Sequence, residues 1–300
     1  MSNLKLDGAL VKDVSRSFYL TLRLLPANIR EAISLGYLLA RASDTIADSH
    51  EIPLDIRITT LEFYTTDVAK GQVGAHLQEL IRLHFTSQRH AGEQVLMSAL
   101  TQVVAAMNSV SDHEQELLQK VVATIIRGQM WDLTYFREGG VTIVETDQLL
   151  DDYIYSVAGC VGEFWTEILC LHHYIPTHEK EEMMSLGVNY GKGLQLTNIL
   201  RDVPEDLIKS RVYIPSETAA FPEVVASSQE WLEKAMTYLR QGEEYAQRLG
   251  YGRLRSSTLL PARLGLRTLE LIEGSSVDER REKVKISRQT VFKELFKTFL

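Results

Sequence analysis

Two aspartates, Asp202 and Asp206, stand four residues apart at the end of the stretch GVNYGKGLQLTNILRDVPED, residues 187–206. On a helix that spacing stacks both carboxylates on one face. Like charges so placed repel, and a pair tolerated there points to a cation between them. Mg²⁺ suits the position, because it takes carboxylate oxygens and leaves coordination sites for phosphate oxygens. Arg201 adjoins the pair, and Asn198 and Gln195 lie one and two turns before it on roughly the same side. Leu194, Leu196, Ile199 and Leu200 surround them, so the polar stripe runs along an otherwise apolar helix. A lone pair of this kind also describes a solvated acidic helix end.

A second copy shifts the balance. Asp44 and Asp48, in YLLARASDTIADS, repeat the spacing after the apolar run Ile33–Ala40. Arg41 lies one turn before Asp44, where a cation serving the same anion would stand. Two such pairs, each ending an apolar helix with an arginine nearby, suggest two metal–carboxylate walls facing one cavity filled by diphosphate. The chemistry would be ionisation. Metal ions take up the charge of a departing diphosphate, and an apolar pocket holds the carbocation left behind.

The elements that must position these residues read as helices almost throughout. Strand-like alternation is scarce, and the prolines and glycines fall mostly between helical stretches. The spacing predicts helices over 7–22, from Pro26 to about Asp48, from Pro53 to about Ala69, and over 75–85, 91–108 and 112–136. Val141–Val144 is the one short strand candidate. Thr146 is placed to cap a helix from Asp147 to Leu171, whose small residues Ala158, Gly159 and Gly162 admit another backbone or a substrate chain. Helices follow over 178–206, 226–249 and 255–273. Pro204 and Pro261 fall inside two of them and predict kinks. The last ten residues, VFKELFKTFL, are amphipathic, with Val291, Phe292, Leu295, Phe296, Phe299 and Leu300 on one side. Such a tail either docks on the core or lies on a membrane surface.

Composition bounds the rest. Three hundred residues with 45% hydrophobic content and no Gly/Ser/Pro-rich linker predict one large domain. A net charge of −8 argues against a nucleic-acid partner, and any diphosphate must then be met by local cations. Cys160 and Cys170 fit neither a disulfide framework nor a zinc site, which suggests a reducing, cytoplasmic setting. There is no apolar leader at the N-terminus and no run of about 18 apolar residues, so no membrane span is expected. The histidines, including His172-His173, lack ligand spacing and read as surface residues.

Four segments together carry a resemblance: Val14-Ser-Arg-Ser-Phe18, Tyr37–Asp48, Asp152-Tyr-Ile-Tyr-Ser-Val-Ala-Gly-Cys-Val-Gly162 and Gly193–Asp206. In this order they resemble the squalene/phytoene synthase family, the head-to-head prenyl synthases, over most of the chain. The resemblance implies a single-domain, all-α isoprenoid-synthase bundle over 1–300 around a central cavity. It implies two farnesyl diphosphates as substrates, with Asp44, Asp48, Asp202 and Asp206 holding Mg²⁺. Ser15, Arg16, Ser17, Tyr37, Arg41, Gln195, Asn198, Arg201, Arg211 and Tyr213 would line the diphosphate site. Tyr153 matches the family tyrosine implicated in proton transfer, with Tyr155 a close alternative.

A further match separates branches of the family. Lys283-Val-Lys-Ile-Ser-Arg-Gln-Thr-Val291 resembles the VKIRKGQAV stretch of squalene synthases, which is tied to NADPH. Lys283, Lys285 and Arg288 would then meet its 2′-phosphate. Ser287 and Gln289 depart from the pattern, and no G-x-G-x-x-G occurs, so any NADPH site is not a Rossmann one. The implied activity is squalene synthesis through presqualene diphosphate. Alternatives are presqualene diphosphate, dehydrosqualene, hydroxysqualene or phytoene made without reduction, and, from another class, a non-catalytic lipid-binding or assembly scaffold.

Overall fold

Proline sets where the first helices begin. Pro26 and Pro53, with φ of −53° and −49°, directly precede α1 (Ala27–Asp48) and α2 (Leu54–Ala69). The computed structural model describes residues 22–86, 91–136, 139–250, 252–282 and 284–299. Ser15, Arg16, Ser17 and Lys283 lie outside these, as does all but the last residue of the helix expected over 7–22. Among the described residues the chain is all-α, apart from two strands of two residues each. It forms two compact units, Met1–Leu133 with Glu167–His172, and Thr134–Thr166 with His173–Leu300.

The first unit contains α1, α2, α3 (Ala75–Leu80, continuing as a π-helical turn Ile81–Phe85), α4 (Ala91–Ser98), α5 (Leu100–Ala106) and most of α6 (Asp112–Tyr135). The helix expected over 91–108 is broken at Ala99, whose ψ of 2° interrupts it. Leu35, Leu38, Leu39, Ile46, Leu61, Tyr64 and Leu77 are fully buried and form its core. Two polar contacts fix α2 on α1. The Tyr64 hydroxyl donates to the Leu39 carbonyl at 2.9 Å, and Arg57 Nη1 donates to the Ala47 carbonyl at 2.8 Å. The second satisfies one of the carbonyls that every helix leaves open at its C-terminus. α6 opens on a capping box: the Ser111 N–H donates to Glu114 Oε2 at 2.9 Å, and the Glu114 N–H returns to Ser111 Oγ at 3.4 Å. Glu114 also holds His172 at 2.9 Å, so this histidine is a paired, half-buried residue and not the surface group its spacing suggests.

The second unit is arranged around a long helix. It contains β1 (Thr142–Ile143), α7 (Asp147–Ile154), a π-helical turn (Tyr155–Gly159), the start of α8 (Cys160–Leu171), α9 (Lys180–Ile208), β2 (Arg211–Val212), α10 (Phe221–Ser227), α11 (Gln229–Arg248), α12 (Arg253–Glu273) and α13 (Arg288–Phe299). Thr146 Oγ1 caps α7, accepting from the Leu149 N–H at 3.2 Å. α9 continues through Pro204, and α12 through Pro261. The small residues of the π-turn and of α8 are explained by α9. A Cβ on Gly162 would fall 1.9 Å from the Gly187 carbonyl oxygen, and one on Gly191 2.3 Å from the Ala158 oxygen. The two backbones touch there, and only glycine leaves room. The stretch Asp147–Leu171 is long and apolar enough to cross a membrane by length and composition alone. It is seated on α9 around Ala158, Gly159 and Gly162, and its last residues, Glu167–Leu171, belong to the first unit.

α13 docks, but with Phe292 and Phe296 out. Glu294 and Thr298 are buried, at 3% and 5% exposure, whereas Phe292 and Phe296 are each 69% exposed. The reason is a set of partners on α12. Arg267 Nε donates to Glu294 Oε1 at 3.1 Å, and Ser256 Oγ to the Thr298 carbonyl at 3.0 Å. The polar face finds hydrogen bonds, and Phe292 and Phe296 are left facing away from the docked side.

Candidate active site

The first acidic pair lies on the single accessible stripe of a buried helix. From Ala32 to Asp48 every residue of α1 is buried except Tyr37, Ala40, Arg41, Asp44 and Asp48. Spacings of three and four put these five on one face. Tyr37 is half-buried on the same stripe. Asp44 is held from two sides. Gln129 of α6 donates its Nε2 to Asp44 Oδ1 at 2.6 Å, and Arg41 Nη1 lies 3.9 Å from Oδ2. Arg41 is itself anchored, its Nη2 donating to Glu93 Oε1 of α4 at 2.5 Å.

The electrostatics of this stripe are adverse to a bare anion. Asp44 and Asp48 occupy the last two turns of α1, the negative end of its dipole, and α1 has no basic residue in its last turn. The Asp44 side chain keeps 43% exposure but sits in a recess walled by protein. Burial, then the neighbouring Asp48 charge, push its carboxyl up to about 6 against the opposing pull of Arg41 and Gln129. A divalent cation would relieve all of these terms at once.

The second pair repeats the pattern in the second unit. Along α9, Leu196, Thr197, Ile199, Leu200 and Val203 are buried, while Gln195, Asn198, Arg201, Asp202 and Asp206 reach the accessible side. Arg201 grips Asp202 with two bonds, Nε to Oδ1 at 2.9 Å and Nη2 to Oδ2 at 2.5 Å. The carboxylate in turn holds the guanidinium proton more tightly. Again the pair occupies the end of a helix without a basic residue in its last turn.

A short parallel ladder places the residues that follow. β1 and β2 pair Thr142 with Arg211 and Ile143 with Val212. This fixes Arg211 and Tyr213 beside Asp206, the three bordering one closed pocket of about 10 Å³. Tyr213 stacks on Tyr153 with centroids 5.3 Å apart and meets Phe136 edge-on at 4.8 Å. The Arg211 guanidinium lies 5.5 Å from the Phe136 ring centre. Tyr153 therefore belongs to the group around Arg211. Tyr155, two residues on and within the π-turn, donates its hydroxyl to Glu163 at 2.6 Å and faces Lys192. Such a turn adds a residue to the helical ladder and re-aims side chains.

A cavity of about 630 Å³ opens on the same unit. Asn198, Arg201 and Lys285 line it, with Leu194, Pro261 and Leu264 as apolar wall. Two cations and a carboxamide on an apolar chamber of this size can receive an anionic small molecule. Arg288 lies in the first turn of α13, exposed and outside the cavity lining.

Among the described residues no three His, Cys, Asp or Glu converge as a ready-made metal cage. Mg²⁺ does not need one, since it binds through one or two carboxylates and completes its shell with waters and phosphate oxygens. The raised carboxyl of Asp44 and the two acidic helix ends fit that ion. Three contributors were not read from the sequence: Gln129, Glu93 and Phe136. Gln129 leaves a trace there, being a polar residue on the apolar stripe that includes Ile125, Ile126 and Leu133. Glu93 and Phe136 leave none.

A profile of the squalene/phytoene synthase family matches residues 11–290. The chain is 30% identical to the squalene synthase of Nicotiana benthamiana over 214 residues, 70% of this chain and 46% of that protein. It thus spans less than half the length of that curated relative. Among solved structures, the complex of TcSQS with the ligand E5700 superposes with a TM-score of 0.78 at 22% identity, covering 99% of this chain and 86% of that one. A dehydrosqualene synthase in complex with ligand superposes at 0.63 and 18% identity, covering 97% and 93%. These two share the fold. With nearly its whole length matched by the family profile, the chain belongs to the squalene/phytoene synthase family.

Proposed function

We propose that this chain is a squalene synthase, working as one synthase domain over 1–300. It would join two farnesyl diphosphates head to head as presqualene diphosphate, then reduce that product with NADPH. The observation that carries the reading is the repeated design of α1 and α9. From Ala32 onward α1 is buried apart from one largely polar stripe, α9 presents Gln195, Asn198, Arg201 and Asp202 on an accessible side, and each helix carries an aspartate pair at its negative end. Asp44, Asp48, Asp202 and Asp206 would hold Mg²⁺, which supplies charge neutralisation for a departing diphosphate. Arg41, Arg201 and Arg211 offer guanidinium donors to diphosphate oxygens, with Tyr37, Gln195, Asn198 and Tyr213 beside them. Ser15, Arg16 and Ser17 are assigned the same task by resemblance alone. Tyr153 and the released diphosphate are the candidate acceptors of the proton lost when the cyclopropane closes. Apolar walls exclude water from the carbocations.

Reduction is supported by the cavity where Lys285 joins Arg201 and Asn198. A cationic chamber of that kind suits the phosphates of NADPH, and Lys283 and Arg288 are assigned the same task by resemblance alone. The outward phenylalanines of α13 support peripheral contact with a membrane, where a hydrocarbon product would be delivered.

The test is incubation with farnesyl diphosphate and Mg²⁺, with and without NADPH, and analysis of hydrocarbons and diphosphates. Squalene formed only with NADPH is the expected result. Presqualene diphosphate, dehydrosqualene or hydroxysqualene irrespective of NADPH would keep the condensation and remove the reductase. Dehydrosqualene has a specific claim, since one structural neighbour is described by that activity. Turnover of the C₂₀ substrate alone would make the enzyme a phytoene synthase. Absence of Mg²⁺-dependent diphosphate release would leave a non-catalytic scaffold.

A further inference from the structure

Gln129 is out of place on α6 unless it serves Asp44. It lies 8% exposed on a helix whose neighbouring turns bury Ile125, Ile126 and Leu133. A buried carboxamide needs partners for both of its ends. One end is accounted for by the 2.6 Å contact with Asp44 Oδ1. An ionised carboxylate can only accept hydrogen bonds, so the nitrogen must face it. The oxygen, Oε1, is then fixed on the other side of the amide, buried and with no hydrogen-bond partner.

An orphaned buried acceptor within one side chain of a metal-type carboxylate has a specific chemical meaning. Mg²⁺ gives up its waters reluctantly and keeps several of them when it binds to carboxylates. Metal-bound water is a strong donor, and a carboxamide oxygen is a ready acceptor. Residues that hydrogen-bond to ligating carboxylates also set their orientation and their affinity for the ion.

We infer that Gln129 is a positioning residue for the divalent cation of α1: its nitrogen pins Asp44 Oδ1 and leaves Oδ2 for the cation, while Oε1 accepts a hydrogen bond from water that enters with the ion. This rests on the proposed role of Asp44. Arg41 is held in a parallel way, since Glu93 takes one guanidinium arm and leaves Nη1 toward Asp44. Gln129 touches neither substrate nor reacting atoms in this assignment, and it acts through Asp44.

The experiment measures Mn²⁺ binding by electron paramagnetic resonance, with inorganic pyrophosphate present and no turnover. Gln129→Met keeps the volume and removes the amide, and it should weaken Mn²⁺ about 10- to 100-fold. Thr124→Val, a control on the same helix whose hydroxyl bonds only the Lys120 carbonyl at 2.8 Å, should leave the affinity unchanged. A role limited to packing would lower the melting temperature of Gln129→Met yet leave Mn²⁺ affinity at wild-type level well below that temperature, and that result overturns the inference. Asp44→Asn in the same assay separates the two levels of argument. If it binds Mn²⁺ as wild type does, the metal role of Asp44 has failed. If it loses binding while Gln129→Met does not, only the role of Gln129 has failed. Should Gln129→Met not fold, the side-chain amide resonance of Gln129 in the wild-type protein gives the answer. It should shift on addition of Mg²⁺ and pyrophosphate, and an unmoved signal would overturn the inference.

Discussion

At the scale of single residues, the stripe that carries Asp44 is held by side chains from two other helices, Gln129 of α6 and Glu93 of α4. Asp44 and Asp48 are neighbours in sequence, so their spacing alone fixes a shared face on α1. Gln129 and Glu93 reach the same stripe from α6 and α4, and no local pattern joins residues that far apart. Burial of Asp44 and the neighbouring Asp48 charge, against the pull of Arg41 and Gln129, give the stripe a pH dependence. The Asp44 carboxyl titrates at about 6 in the folded chain against an ordinary 3.8. Cation binding needs the ionised form, so Mg²⁺ affinity should fall about tenfold per pH unit below 6 and level off above it. Titration calorimetry at pH 5, 6 and 7.5 checks this, and a flat profile would refute it. Stability runs the other way. Between 3.8 and about 6 the folded state binds more protons than the unfolded state, so the metal-free protein loses stability as pH rises through that window. Asp44→Asn removes the buried charge. At pH 7 without metal it should therefore melt about 3 °C higher, near 1 kcal/mol once the exposure of the side chain is allowed for. The same variant should lose turnover. A lowered melting temperature would show that Asp44 stabilises the empty site.

At the scale of elements, boundaries set by side-chain chemistry were legible, and those set by packing were not. Thr146 and the prolines before α1 and α2 announce helix starts because capping and a fixed φ are local properties. The break at Ala99 and the π-turn Tyr155–Gly159 have no such marker. Neither does β2, whose two residues are extended because β1 offers them a partner. The glycines of the π-turn and α8 mark a place of close approach in the sequence, whereas the identity of the approaching element, α9, is a property of the fold. The consequence is a paired prediction. Gly162→Ala would put a methyl group 1.9 Å from the Gly187 oxygen and should cost at least 1–3 kcal/mol, the usual range for overpacking. Gly140→Ala, with nothing within 4 Å, should be close to neutral. Thermal denaturation of the two variants decides the point. Equal melting temperatures would mean that α8 and α9 separate without penalty.

At the scale of the whole molecule, the sequence shows no linker, and the structure explains why. The chain changes unit inside α6, inside α8 and at the turn His172-His173, and none of these is a Gly/Ser/Pro-rich stretch. The distribution of charge was less legible. A net charge of −8 should keep the protein off anionic surfaces, yet the segment from Lys285 to Lys297 is basic apart from Glu294. Glu294 is turned inward onto Arg267 and reached by Lys297. The outer side of α13 thus combines Phe292 and Phe296 with Arg288 and Lys293, an apolar pair rimmed by cations. Each cation near an anionic leaflet contributes about 1 kcal/mol at moderate salt, and the rings add apolar burial in the interface. Sedimentation with phosphatidylserine-containing vesicles should therefore pull down the wild-type protein, less so at about 1 M salt, where screening shortens to roughly 3 Å. Vesicles of phosphatidylcholine alone should retain little. Phe292→Ser with Phe296→Ser should abolish the association without lowering stability, because both side chains are exposed in the folded chain. Retention of the double variant at the wild-type level would assign the exposed rings some other partner, whereas loss of binding with unchanged turnover on micellar farnesyl diphosphate would separate delivery of the hydrocarbon from its synthesis.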